Sequence, residues 1–134
     1  MNKSKFEKEK EKSLRELHKN LQDIDTELVE LIFTLNKIQG LYTLSCCVGH
    51  GKDPCRIWFK IENFEILHKF CFNCLDVQHQ HWNVCYDIAD INREDHKVFY
   101  LETKTKDMKV ITDLVKNLNK SIQNSLGEIG YVSL

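Results

Sequence analysis

Leucine and isoleucine recur at steps of three and four residues from Leu14 to Ile38, through Leu17, Leu21, Ile24, Leu28, Leu31 and Leu35. Side chains so spaced share one stripe of a helix, as in a heptad seam. The stripe crosses Asp23-Ile24-Asp25-Thr26, where Asp or Thr can cap a new start and break the rod. The pattern predicts a lightly docked helical arm over residues 1–22 and a docked helix from about residue 25 to 39. Gly40 takes the place of a terminating glycine. A coiled-coil homodimer through the N-terminal helix is the second use of such a seam.

The period then changes to two. Leu41 to Cys46 is short and β-prone. Cys55 to Ile61 alternates, with Arg56, Trp58 and Lys60 on one side and Ile57, Phe59 and Ile61 on the other. Pro54 precedes this strand, where its missing N–H is harmless. Asn63 caps a predicted helix to about Asp76, with Phe64, Leu67, Cys71 and Cys74 inward and Phe70 and Leu75 flanking. Strands are predicted at Trp82–Ile88 and Lys97–Thr103, paired as a hairpin around a turn from Asn92 to Asp95. A final helix spans about Asp107 to Asn124, with Ile111, Leu114, Val115, Leu118 and Ile122 inward. Tyr131–Leu134 adds an expected edge strand. The order α-ββ-α-ββ-α predicts an α+β fold, a mainly antiparallel sheet with helices packed on one face and a long N-terminal helix. Residues 23–134 are read as one domain, as the chain's 134 residues suggest.

Charge narrows the partners. Residues 1–20 carry seven Lys/Arg against four Asp/Glu, and the remainder twelve against sixteen. A weakly basic arm on a weakly acidic body lacks the clustered basic face of a nucleic-acid domain. No apolar run approaches the ~20 residues that span a bilayer. The charged start lacks a signal peptide's apolar stretch, so a cytoplasmic protein without membrane partners is expected. In that compartment the six cysteines read as free thiols or metal ligands rather than disulfides.

The densest chemistry lies in Thr43-Leu44-Ser45-Cys46-Cys47-Val48-Gly49-His50-Gly51. Gly49 and Gly51 permit positive φ and close approach of a ligand to the main chain. Successive N–H groups in such a turn form an anion-binding nest. Ser45 adds a hydroxyl, while His50, Lys52 and Arg56 add cationic or donor groups. Trp58 offers a stacking surface. Ser45, Cys46, Cys47, Gly49, His50, Gly51, Lys52, Arg56 and Trp58 therefore form the candidate site for a small anionic, nucleotide-like ligand. The structural alternative is a hairpin loop whose glycines serve geometry alone.

Two other readings share these residues. Cys47, His50 and Cys55 with a distant fourth ligand would make a zinc site. Cys46 or Cys47 beside His50 would make a thiol nucleophile, although no orienting acid is evident and alternation sends the two cysteines to opposite faces. Cys71 and Cys74 form a C-x-x-C, but at helical spacing with Leu67 they read as core. His79 and His81 fall in a predicted loop. No catalytic residue is assigned.

Leu31-Ile32-Phe33-Thr34-Leu35-Asn36, then Tyr42 to Gly51, then Ile57-Trp58-Phe59 resembles a pattern recurring in small, functionally uncharacterised bacterial and phage proteins. There a helix ends in Leu-Asn, a Thr-x-x-Ser-Cys-x-Gly-His turn follows, and a strand carries an aromatic. More distantly it resembles the methyltransferase of tRNA wybutosine synthesis, whose Ser-Ser-Cys-Ser-Gly-Arg turn also follows a helix and a strand. Here one more residue separates Ser45 from Gly49, and His50 stands in place of Arg. The resemblance covers residues 28–61 and implies a similar fold. In a phage setting, the expected role is sequestration of a host signalling nucleotide by a non-catalytic binder.

Overall fold

The computed structural model describes residues 3–47, 54–75, 78, 80–87, 97–104 and 107–124. Among the described residues, four α-helices and one four-stranded antiparallel sheet make an α+β fold. The elements are α1 (Lys5–Lys19), α2 (Val29–Leu35), β1 (Leu41–Cys47), β2 (Cys55–Ile61), α3 (Phe64–Phe70), β3 (Asn83–Tyr86), β4 (Val98–Thr103) and α4 (Met108–Asn124). Strand order is β1-β2-β4-β3, so two hairpins join through β2 and β4. The Tyr131–Leu134 strand, the Asn92–Asp95 turn and His79 lie outside the described residues.

Strict alternation builds the inner face of the sheet. Cys55, Ile57, Phe59 and Ile61 are buried, and their β4 partners Thr103, Leu101 and Phe99 are buried with them. Against this face pack Leu31, Ile32 and Leu35 of α2, Phe70 of α3, and Ile111, Leu114, Val115, Leu118 and Ile122 of α4. Burying a side chain of this size contributes about 1.5–3 kcal/mol, so this single cluster dominates stability.

The leucine seam breaks where the acidic residues fall. Helix α1 ends at Asn20, short 3₁₀ turns follow at Leu21–Asp23 and Thr26–Leu28, and α2 runs only from Val29 to Leu35 rather than 25–39. It stops early because Asn36 folds back, donating from Nδ2 to the Ile32 carbonyl (2.8 Å) and to Thr43 Oγ1 (2.9 Å). Gly40 then adopts φ of +85°, which only glycine takes without strain. The second half of the seam, Leu28, Leu31, Leu35 and Ile38, is spent on the chain's own core. A coiled-coil dimer through it would have to open the domain.

Helix α1 lies along the β1 edge and docks by a stripe that shares Leu17 with the leucine seam but otherwise runs through Phe6, Lys10 and Ser13. Phe6 meets Tyr42 with ring centroids 5.0 Å apart, Lys10 donates to the Ile38 carbonyl (2.8 Å), and Ser13 donates to the Thr43 carbonyl (3.1 Å). Leu17 packs against the core. The Thr43 N–H donates to Asn36 Oδ1 (3.1 Å). Both main-chain groups of Thr43 are thus satisfied off the sheet, where an open edge would otherwise invite pairing with another chain.

Helix α3 starts as expected, with Asn63 Oδ1 accepting from the Ile66 N–H (3.2 Å). After Phe70 the chain widens into a π-turn over Cys71–Leu75. The wider turn alters the helical phase, leaving Phe70, Cys74 and Leu75 buried and Cys71 half-buried. Phe64, expected inward, is 58% exposed and meets Phe99 edge-on at the sheet's rim.

Candidate functional site

The β1–β2 ladder is interrupted once. Thr43 pairs with Phe59 and Ser45 with Trp58, leaving Leu44 as an extra residue in a β-bulge. A shift of one residue inverts the faces of everything after it. Ser45 therefore shares a face with Trp58 and Arg56, while Cys46 pairs with Ile57 and packs, partly buried, against the core. Cys47 pairs with Arg56, which sets its strand position out of phase with Cys55. Of the nine candidate residues, Gly49, His50, Gly51 and Lys52 lie outside the described residues, as does the Cys47 side chain.

The outer face collects the rest. Register places Arg56, Trp58 and Lys60 of β2 beside Glu102, Tyr100 and Val98 of β4, with Cys85 of β3 across from Tyr100. Trp58 and Tyr100 lie 5.6 Å apart, tilted by 41°. The Arg56 guanidinium sits 5.4 Å from the Tyr100 ring centre and donates through Nε to Glu102 (2.7 Å). A hydrogen bond with Cys85, with the charge interaction of the same thiol and that of Glu102, raises the Tyr100 phenol above its usual range against the opposing pull of Arg56. Lys60 turns to the other end of the face, pairing with Glu9 of α1 (3.3 Å), which also accepts from the Tyr42 hydroxyl (3.2 Å). Contacts of α1 with this face gather at that end, and Arg56, Trp58 and Tyr100 remain only half-buried.

Ser45 also borders a cavity of about 300 Å³ at the β1 edge, between the C-terminal half of α1, the Leu21–Ile24 segment, α2 and the bulge. Its mouth carries Glu16 and Asp23, and among the described residues lining it there is no Lys or Arg. An anion is repelled there. No sequence signal marks this cavity, because Glu16 falls in the charged helical arm and Asp23 in the segment read as capping.

The thiols divide by environment. Cys55 is buried on the inner face. Cys74 is fully buried, and desolvation lifts its thiol to about 11. Burial also raises Cys71. Both therefore resist forming the thiolate that metal binding and nucleophilic attack need. Among the described residues no group of three His, Cys, Asp or Glu side chains is placed to hold a metal ion. Nor, among them, is any helix long and apolar enough to cross a membrane.

Fold and site together define an α+β protein with helices packed on one sheet face and an aromatic, arginine-bearing patch on the other. The chain is similar in fold to the PH1069 protein from Pyrococcus horikoshii, with a TM-score of 0.53 and 12% identity over 89% of this chain and 94% of that one. No family model matches the chain, and no curated protein matches it.

Proposed function

We propose that this protein binds, without transforming, a small anionic, nucleotide-like ligand at the end of the sheet from which the Ser45–Gly51 turn projects. The observation that carries the reading is the register. Ser45 lies across from Trp58, and the strand position of Cys47 lies across from Arg56. A hydroxyl, a guanidinium and the Trp58–Tyr100 aromatic pair thereby share one half-exposed sheet face at the end of β1. A nucleobase would stack on Trp58, with Arg56 and the turn's N–H groups meeting the phosphate. A ligand held by stacking and hydrogen-bond donors in this way would be sequestered rather than turned over, as suits capture of a signalling nucleotide.

Calorimetric titration of the full chain with mononucleotides, dinucleotides, cyclic nucleotides and inorganic phosphate tests this. Saturable binding of at least one nucleotide is expected, weakened about tenfold or more by Trp58→Ala. Arg56→Gln should lower affinity further for phosphate-bearing ligands than for the matching nucleoside. An absence of saturable binding across the panel, or binding indifferent to both substitutions, would overturn the proposal. Stoichiometric zinc in the purified protein would shift the reading to a metal site at the turn.

A further inference from the structure

The edge cavity offers chemistry opposite to that of the outer sheet face. It exists for two local reasons. The Leu44 bulge displaces the strand edge, and α1 ends at Asn20 before the 3₁₀ turn carries Asp23 and Ile24 around the mouth. Leu17, Ile24 and Ile32 supply its apolar lining, Ile32 buried and the other two partly buried and packed against the core, while Ser13, Asn20, Thr43 and Ser45 add polar groups. The acidic side chains among the lining residues are Glu16, in the last turn of α1, and Asp23, in the turn that follows, and both are exposed. At about 300 Å³ it reaches the lower end of the volumes that enclose small ligands.

We infer that this cavity is a second binding site, for a small molecule that joins an ammonium group to an apolar body. The ammonium sits between Glu16 and Asp23, and the body rests on Leu17, Ile24 and Ile32. Anions are rejected by the two carboxylates. An amphipathic amine satisfies rim and floor together. The cavity shares Ser45 with the outer-face proposal, but Trp58 and Arg56 do not line it, so substitutions at those two residues tell the sites apart.

The probe is cyclohexylammonium, with cyclohexanecarboxylate and cyclohexanol as controls of matching shape, titrated into ¹⁵N-labelled full-length protein. The ammonium compound should produce saturable shifts at Leu17, Ile24 and Leu44 to Cys46, and each control should bind several-fold more weakly. Glu16 and Asp23 are exposed, so Glu16→Gln with Asp23→Asn leaves the spectrum elsewhere unchanged while lowering affinity about fivefold. Trp58→Ala should leave amine binding intact, which separates failure of this site from failure of the nucleotide site. Equal binding of all three probes, unchanged affinity in the double variant, or no saturable shift would each refute the inference.

Discussion

Lys10 is 5% exposed, and its ammonium donates to the Ile38 carbonyl at 2.8 Å. Desolvation lowers its pKa from 10.5 to about 8. That depression corresponds to about 3 kcal/mol against the charged form in the docked helix. Between the two values the unfolded chain binds more protons than the folded one, so stability rises with pH from about 8 to 10.5. The gain is lost as pH falls back through about 8, below which both states are charged and the penalty is constant. Lys10→Met keeps the buried stem and removes the charge. The Ile38 carbonyl retains a partner, because the Leu41 N–H donates to it (3.3 Å). After ~1 kcal/mol for the lost hydrogen bond, the variant should be more stable at pH 7 by ~2 kcal/mol. Urea unfolding of both proteins at pH 7, 8, 9 and 10 checks this. Tyrosine and cysteine titrations are common to both, so the difference curve isolates Lys10. Parallel profiles, or a Met variant less stable at pH 7, would refute the claim that Lys10 is buried at the β1 edge.

Other consequences follow from single residues. Asn36→Ala strands the buried Thr43 N–H and Thr43 Oγ1, and should cost ~2–3 kcal/mol in urea unfolding. Gly40→Ala puts a Cβ 3.0 Å from Ile66 Cγ1 at φ +85°, and should cost at least ~1 kcal/mol in the same assay. Deleting Leu44 removes only the extra residue of the bulge, so Ser45–Trp58 pairing should persist in nuclear Overhauser contacts while the edge cavity loses a wall. Cys74, buried with its thiol near 11, should escape iodoacetamide at pH 8 until the protein is unfolded, as mass spectrometry of the labelled peptides would show.

Where chemistry is local, sequence and structure agree. The alternation of Cys55–Ile61 settled which side chains enter the core and placed Arg56 and Trp58 together, because a strand's period of two leaves no choice once one face is apolar. Asn63 capped α3 and Gly40 ended the turn after α2 because their backbone demands are met within a few residues. The inward set of α4 followed from its 3.6-residue period alone.

Long-range competition decided the rest. The bulge at Leu44 decided which faces Ser45 and Cys46 take, because pairing with β2 and side-chain satisfaction of Thr43 by Asn36 and Ser13 set the register. Helix α1 docks through Phe6, Lys10, Ser13 and Leu17, a stripe half polar in composition, since what it covers is a strand edge in need of donors as well as an apolar surface. The π-turn after Phe70 altered the phase of the helix, so that Phe70 and Leu75, expected to flank, are buried beside the expected Cys74, and Phe64 stayed outside. A hydrophobic pattern records how much surface a segment must bury. Which partner it is buried against is an energy shared among elements far apart in sequence, and only the folded chain resolves it.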